Sequence, residues 1–293
     1  MSRQKHFKVS KSLTTDPGDA SSEVPMRLLL VSDLHYSLPL FDWVVEVAGD
    51  FDIVVMAGDH LDLASLVDGR AQAVVVKKYF SRLQAKTRLL ICSGNHDLDS
   101  KNAAGEKVAK WLLGSRNEGV LSDGESLTVG DNLFTMCPWW DGPVSRAGIG
   151  ELFAKAVAKR EKRWIWIYHA PPADSPVAWG GQRYFGDDAL REWIETYQPD
   201  IVMSGHVHEA PYVADGSWVD RIGQTWIFNT GHYLGAPPAH VILDTDAGEA
   251  LWFSAAGNQY VRLGDELKRP VPKLKAIPDW LKDGDRPRAQ GQG

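Results

Sequence analysis

Cysteine is scarce in this chain: only Cys92 and Cys137 occur among 293 residues, and both stand in apolar surroundings. That count excludes a disulfide-stapled scaffold and suits a reducing cytosol, the compartment expected for the protein. Long apolar runs are lacking as well, since no stretch approaches the roughly 20 residues of a membrane span. The first 25 residues carry Lys5, Lys8 and Lys11 but not the apolar core of a signal peptide, and they read as a flexible leader. Neither sign of charge dominates. A net charge of −6 predicts no general attraction to nucleic acid or to an acidic membrane. No internal repeat is present.

What the chain does contain is apolar and aromatic. It is 44% hydrophobic with 12 tryptophans, enough for a large core or an aromatic-lined pocket. A single domain is expected over 26–267. From Lys268 the sequence turns proline-rich (Pro270, Pro272, Pro278, Pro287) and ends in Ala-Gln-Gly-Gln-Gly. Residues 268–293 therefore read as a tail, docked by Ile277, Trp280 and Leu281 and otherwise disordered.

Five apolar runs of strand length stop at side chains able to hold a metal ion. Met26 to Ser32 ends in Asp33-Leu34-His35, where residues two apart in extended chain face one side. Phe51 to Met56 leads to Gly58-Asp59-His60. Arg88 to Cys92 leads to Ser93-Gly94-Asn95-His96-Asp97. Trp164 to Tyr168 ends in His169 before a stiff Pro171-Pro172 turn, and Pro199 to Met203 ends in Gly205-His206-Val207-His208. Each block alone has an ordinary reading as a turn or a helix cap. Together they place seven candidate ligands at the carboxyl ends of successive strands, where ligands of open α/β sheets bind.

Helical spacing is expected over Phe41–Ala48, Leu66–Leu83, Ala103–Leu113, Ile149–Glu161 and Asp187–Tyr197. In the second of these Val67, Ala71, Val74, Val75, Tyr79 and Leu83 fall at helical spacing. Strand and helix thus alternate through the first part of the chain. Later runs at Trp218–Ile222, Thr225–Phe228, His240–Leu243 and Leu251–Ser254 read as antiparallel strands completing a second sheet.

The mixed imidazole, carboxylate and carboxamide set suits Mn, Fe or Zn rather than a thiolate site. Two cations about 3.5–4 Å apart need a bridging oxygen, for which Asp59 is the natural choice. The ordered blocks Asp-x-His, Gly-Asp, Gly-Asn-His-Asp, His and Gly-His-x-His, spanning 33–208, resemble the calcineurin-like metallophosphoesterases. Phe228-Asn229-Thr230-Gly231 resembles that family's following strand and turn. The resemblance implies a four-layer α/β/β/α sandwich of two mixed β-sheets. It also implies two divalent or trivalent metal ions (Mn, Fe or Zn), one held by Asp33, His35 and His208, the other by Asn95, His169 and His206, with Asp59 bridging. By the same likeness a hydroxide from the centre attacks phosphorus in line, His96 assists the leaving group, and Asp97 orients His96 or a ligating histidine.

Substrate contacts are expected from His60, Trp139, Trp140 and Arg183. The activity expected is hydrolysis of a small phosphoester, with a phosphodiester preferred and a nucleotide as one candidate. Phosphomonoester or nucleotide pyrophosphate hydrolysis are the alternatives. A non-catalytic binding scaffold is the rival from another class, and the acidic balance weighs against a nuclease. Nothing in the sequence fixes the oligomeric state.

Overall fold

Alternation along the strands decides the layers. In β1 (Arg27–Val31), Leu28 and Leu30 enter one core while Leu29 and Val31 enter another. The structure is a computed structural model and describes residues 26–160 and 162–282. The expected leader over 1–25 and the last part of the tail, 283–293, lie outside the described residues. After β1 come α1 (Leu38–Val47), β2 (Ile53–Ala57), α2 (Gly69–Gln84) and β3 (Arg88–Cys92). A short hairpin of β4 (Ser100–Lys101) and β5 (Lys107–Val108) precedes α3 (Lys110–Gly114). Then follow β6 (Ser126–Val129), β7 (Asn132–Met136), α4 (Pro143–Ala156), β8 (Arg163–Ile167), α5 (Asp188–Tyr197) and β9 (Ile201–Ser204). The last elements are β10 (Val219–Ile222), β11 (Thr225–Asn229), β12 (His240–Asp244), β13 (Glu249–Ser254), β14 (Gly257–Arg262) and α6 (Asp279–Lys282).

Two six-stranded mixed sheets result, ordered β14-β13-β12-β1-β2-β3 and β10-β11-β9-β8-β7-β6. Leu28, Leu30, Val55 and Leu90 of the first meet Phe134, Ile165, Ile167 and Met203 of the second. Outside the first sheet, Leu29, Val54 and Ile91 pack on Phe41 and Val44 of α1 and on Val76 and Phe80 of α2. Outside the second, Trp164 and Trp166 pack on Ile149 and Phe153 of α4 and on Leu190 and Ile194 of α5, the rings of Phe153 and Trp166 stacking 3.7 Å apart. This is the expected α/β/β/α sandwich. No helix among the described residues is long and apolar enough to cross a membrane.

Several local expectations are corrected. Residues 103–109 are not helical: Lys107–Val108 pairs with Ser100–Lys101, and the helix begins only at Lys110. In α2 the buried face is Gln72, Ala73, Val76, Tyr79, Phe80 and Leu83, while Val67, Ala71 and Val74 are exposed. The helix begins at Gly69 because the Asp68 side chain caps it, and that start sets the face. The helix α4 opens at Pro143, where proline lacks only an N–H that has no helical partner. Of the four late runs, only β10 and β11 join the second sheet. The strand β12 returns to pair antiparallel with β1 in the middle of the first sheet, and β13 and β14 follow it outward. Segment 268–282 runs beside β14, with Val271 buried and the Trp280 indole donating to Glu249 at 2.7 Å; Ile277 is exposed and does not dock.

His240 is buried between Trp43 and Phe253, its Nδ1–H donating to the Pro238 carbonyl at 2.8 Å. Burial pulls its pKa down to about 4, against some support from that carbonyl. The unfolded chain therefore takes up this proton first, and the contribution to stability is lost as pH falls from about 6.5 towards 4. We expect His240→Asn, which keeps an amide donor for Pro238, to lose less stability than the wild type between pH 7 and pH 5. The difference should be about 2 kcal/mol. Parallel urea titrations at the two pH values check this, and equal losses in the two proteins would contradict it.

Candidate metal centre

The three parallel strands β1, β2 and β3 and the four parallel strands β7, β8, β9 and β11 all point their carboxyl ends at one edge of the sandwich. The loops leaving those ends carry Asp33 and His35, Asp59, Asn95 and His96, Trp139 and Trp140, His169, and His206 and His208. Four of these residues sit in the left-handed region that disfavours side chains: Asp33 (φ 55°), His35 (φ 43°), Asp59 (φ 52°) and His206 (φ 72°). Such backbone costs on the order of 1 kcal/mol or more per residue and gathers at functional sites. The loops are tied across the sheet, with Asp33 N–H donating to Gly58 O at 3.1 Å and His35 N–H to Asp59 O at 3.0 Å.

Two triads of possible ligands form there. Asp33, His35 and His208 offer atoms within 4.8 Å of one another, and so do Asp59, His169 and His206. The two Nε2 atoms of His35 and His208 lie 3.1 Å apart, and His208 Nε2 lies 3.2 Å from Asp33 Oδ1. Asp59 Oδ2 stands 3.2 Å from His169 Nε2 and 3.9 Å from His35 Nε2, so it touches both triads. The Asn95 loop is tied to the second triad, since the His96 N–H donates to Asp59 Oδ1 at 2.9 Å.

Electrostatics follow from burying these charges together. Burial would raise Asp33 and Asp59, but neighbouring imidazoles, His169 foremost, hold both carboxyls below the usual range. Burial would equally depress His169, yet the carboxylates of Asp59 and Asp33 outweigh it and push that imidazole up to about 9. His35 and His206 are pulled down to about 4, chiefly by burial.

The donor set fits metal ions. His169 Nδ1–H donates to the Ala57 carbonyl at 2.7 Å, which turns Nε2 towards the cluster. That Nε2 faces Asp59 Oδ2 at 3.2 Å, and the buried Asn95 Oδ1 has no hydrogen-bond partner among the described residues. A buried acceptor without a donor is costly unless something else satisfies it. Nitrogen and oxygen donors without thiolate suit Mn, Fe or Zn.

The glycines of the motifs make room for this cluster. A Cβ on Gly94 would overlap Asp59 Oδ1, one on Gly205 would overlap Asp33 Oδ2, and one on Gly58 would overlap His169 Nδ1. In each case the residue beside the glycine is itself a candidate ligand, and the space clears a ligand from a different strand. Gly94 and Gly205 lie outside the positive-φ region, so their role is clearance rather than backbone freedom.

His96 stands at the rim, its ring centroid 4.6 Å from that of His35 and its Nε2 4.0 Å from Asp59 Oδ2. The Leu63 N–H donates to His96 Nδ1 at 3.3 Å, so the neutral ring carries its proton on Nε2, facing the centre. Asp97 does not reach His96. Its buried carboxylate accepts from the backbone N–H groups of His60, Leu61 and Gly94, tying the Asp59 loop to the Asn95 loop. Its expected role of orienting a histidine ring is thus replaced by fixing backbone. His60 is 1% exposed and its Nε2–H donates to the Cys92 carbonyl, so it lies behind the cleft and not in it. Arg183 is exposed and folded over the ring of Phe185 at 4.5 Å, away from the two triads. The Trp139 ring sits 5.2 Å from His206 and 5.7 Å from His169, and Trp140 lies beside it.

Sequence reasoning passed over three neighbours. Asp62 forms a further close group with His35 and His96, and its position three residues after Asp59 was the available signal. His232 packs on His35 and His208 (centroids 5.4 and 4.8 Å), one residue beyond the Asn-Thr-Gly turn. Arg146, on the first turns of α4, left no signal in any motif; its guanidinium stands over Trp140 at 5.8 Å.

Because Gly94 and Asp59 compete for one volume, Gly94→Ala is expected to displace that carboxylate while leaving the sheets intact. After loading with Mn²⁺, metal content by mass spectrometry should fall from about two ions per chain to one or none, with an unchanged circular dichroism spectrum. Full occupancy in the variant would show that the clearance does not matter.

The family model of calcineurin-like phosphoesterases matches residues 26–210. No curated protein matches the chain significantly. Among solved structures, TT1561 of Thermus thermophilus superposes with a TM-score of 0.50 at 14% identity, covering 81% of this chain and 99% of that one. Purple acid phosphatase PPD1 from yellow lupin (Lupinus luteus) seeds also gives 0.50, at 15% identity over 82% of this chain, which spans about half (52%) of the lupin enzyme. At those identities the likeness carries the fold alone. With its family-wide match over the strands and loops just described, the chain belongs to the calcineurin-like metallophosphoesterase family, metal-dependent phosphoesterases with binuclear centres.

Proposed function

We propose that the centre hydrolyses a phosphodiester. Asp33, His35 and His208 would hold one cation and Asn95, His169 and His206 the other, with Asp59 shared. Two cations there would offset charge on the phosphoryl oxygens and lower the pKa of a water. The observation that carries this reading is the meeting of two triads at Asp59, beside the buried Asn95 Oδ1, which has no partner among the described residues.

The chain's own groups then have separate tasks. His96, half-buried at the rim with its Nε2–H facing the centre, donates a hydrogen bond to the leaving oxygen and offsets the charge that gathers there as the bond from phosphorus to that oxygen breaks. Asp97 and the motif glycines hold the loops so that little reorganises during reaction. The diester preference rests on room and charge. A cleft lined by His206 lies on one side of the centre and the half-buried His96 stands at its rim, so that one ester arm would enter the cleft and the other pass His96. Asp33 and Asp59 are compensated by imidazoles, and the guanidinium of Arg146 is already paired with Glu192 at 2.6 Å. A singly charged diester suits this better than a doubly charged monoester. The proposed catalytic domain runs over 26–267 and acts in the cytosol.

A chromogenic diester assayed beside the matching monoester checks this, with metal-stripped protein supplemented by Mn²⁺, Fe²⁺, Zn²⁺ or nothing. Diester turnover is expected to be faster and to need metal. His96→Ala should lower kcat by about 10²–10⁴ with metal still bound. Asn95→Ala should lose activity together with metal. Faster monoester turnover would make the protein a phosphomonoesterase, and failure to bind metal at all would bring forward a binding scaffold.

A further inference from the structure

A cleft of about 380 Å³ opens beside His206, lined among others by Trp139, Trp140, Arg146, Phe185 and Asp188. That size holds one compact organic group. Its walls are fixed before anything binds. The Trp140 indole N–H donates to Asp187 Oδ2 at 2.8 Å, and the same carboxylate receives the Tyr168 hydroxyl and caps α5 through the N–H groups of Ala189 and Leu190. Asp187 is thereby fully engaged and holds the indole plane in place. Trp139 packs on the imidazoles of His169 and His206, and His206 itself lines the cleft, joining it to the centre. Phe185, 39% exposed, closes the outer side.

The lining guanidinium is held in the same way. Arg146 lies over the Trp140 indole and is paired with Glu192, so the one guanidinium among the lining residues is engaged, while Arg183 stacks on Phe185 from outside the lining. Three aromatic walls and a neutralised guanidinium select a flat, uncharged ring, since aromatic stacking is worth on the order of 1–3 kcal/mol per nucleobase. Asp188, exposed in the lining, offers a carboxylate that can accept from an amine or hydroxyl on such a ring.

We propose that this cleft receives an aromatic ring carried on one ester arm of the substrate, a nucleobase or a simple aryl group, with Trp140 and Phe185 as the specificity-determining walls. This rests on the phosphodiester reading above. The ring stacks in the cleft while the phosphorus lies at the two triads, and the other arm leaves past His96.

The test is calorimetric binding to the full-length, Mn²⁺-loaded protein, which needs no turnover. Inorganic phosphate, methyl phosphate, phenyl phosphate and adenosine 5′-monophosphate are the probes. Phenyl phosphate is expected to bind at least about fivefold more tightly than methyl phosphate. Trp140→Ala and Phe185→Ala should each bring the two to within about twofold while methyl phosphate binding is unchanged. Phe185 is exposed, so its variant keeps the test valid if removing Trp140 disturbs the fold. Adenosine monophosphate binding more tightly than phenyl phosphate assigns the ring to a nucleoside; equal or weaker binding assigns it to a simple aryl ester. Equal affinities for the phenyl and methyl esters, or a preference that survives both variants, overturns the aromatic cleft but leaves the phosphodiester reading standing. No binding of any of the four likewise overturns the aromatic cleft, whereas the phosphodiester reading stands or falls separately on the metal-dependent diester assay above.

Discussion

Two carboxylates, Asp33 and Asp59, are held almost out of water at the junction of two sheets, and the rest of the molecule answers to them. An unpaired buried carboxylate would cost many kcal/mol, so imidazoles must come close on every side. That demand explains why histidines arrive from four different strand ends, and why His169 takes up positive charge although burial opposes it. It also explains the glycines. Charged groups packed this tightly leave no volume for a Cβ on the segments crossing between them. The strained backbone at Asp33, His35, Asp59 and His206 belongs to the same constraint, because ordinary extended strands would carry these side chains past one another.

Much of this was legible in the sequence, for a definite reason. Strands buried on both faces read as unbroken apolar runs, and polar groups at their ends cannot be placed there by packing. The runs before Asp33, Asp59, Asn95, His169 and His206 therefore announced both the sheets and the edge at which the site forms. Family membership and the four-layer sandwich followed from the same blocks. What stayed hidden was set by contacts without a local period. The return of β12 to the side of β1 depends on which sheet offers an open edge, and no pattern within residues 240–244 records it. Residues 100–108 have the composition of a polar helix, yet they pair as a hairpin because Asn102 and Glu106 close the turn.

Within the site the same division holds. Residues that touch the centre through side chains at strand ends were found, whereas Asp62, His232 and Arg146 come close only through folded loops or a helix. The expectation for His60 failed because its ring turns inward to a strand carbonyl, a choice made by the Asp97 carboxylate gripping the backbone on either side. Arg183 read as a substrate contact from its charge and its place in a long loop. Its position over Phe185 serves the aromatic wall instead.

The place of β12 has a consequence for how the molecule is made. The strand β1, which delivers Asp33 and His35, is flanked by β2 on one side and by β12 on the other, more than 200 residues later in the chain. A ribosome that has released everything up to His208 has therefore supplied every motif, yet β1 still offers a bare edge and β9 still waits for β11. Such edges invite pairing with other chains until covered. The seven side chains gain a rigid frame only after the last strands close both sheets, so assembly of the centre comes late, and pairings this distant in sequence fold slowly.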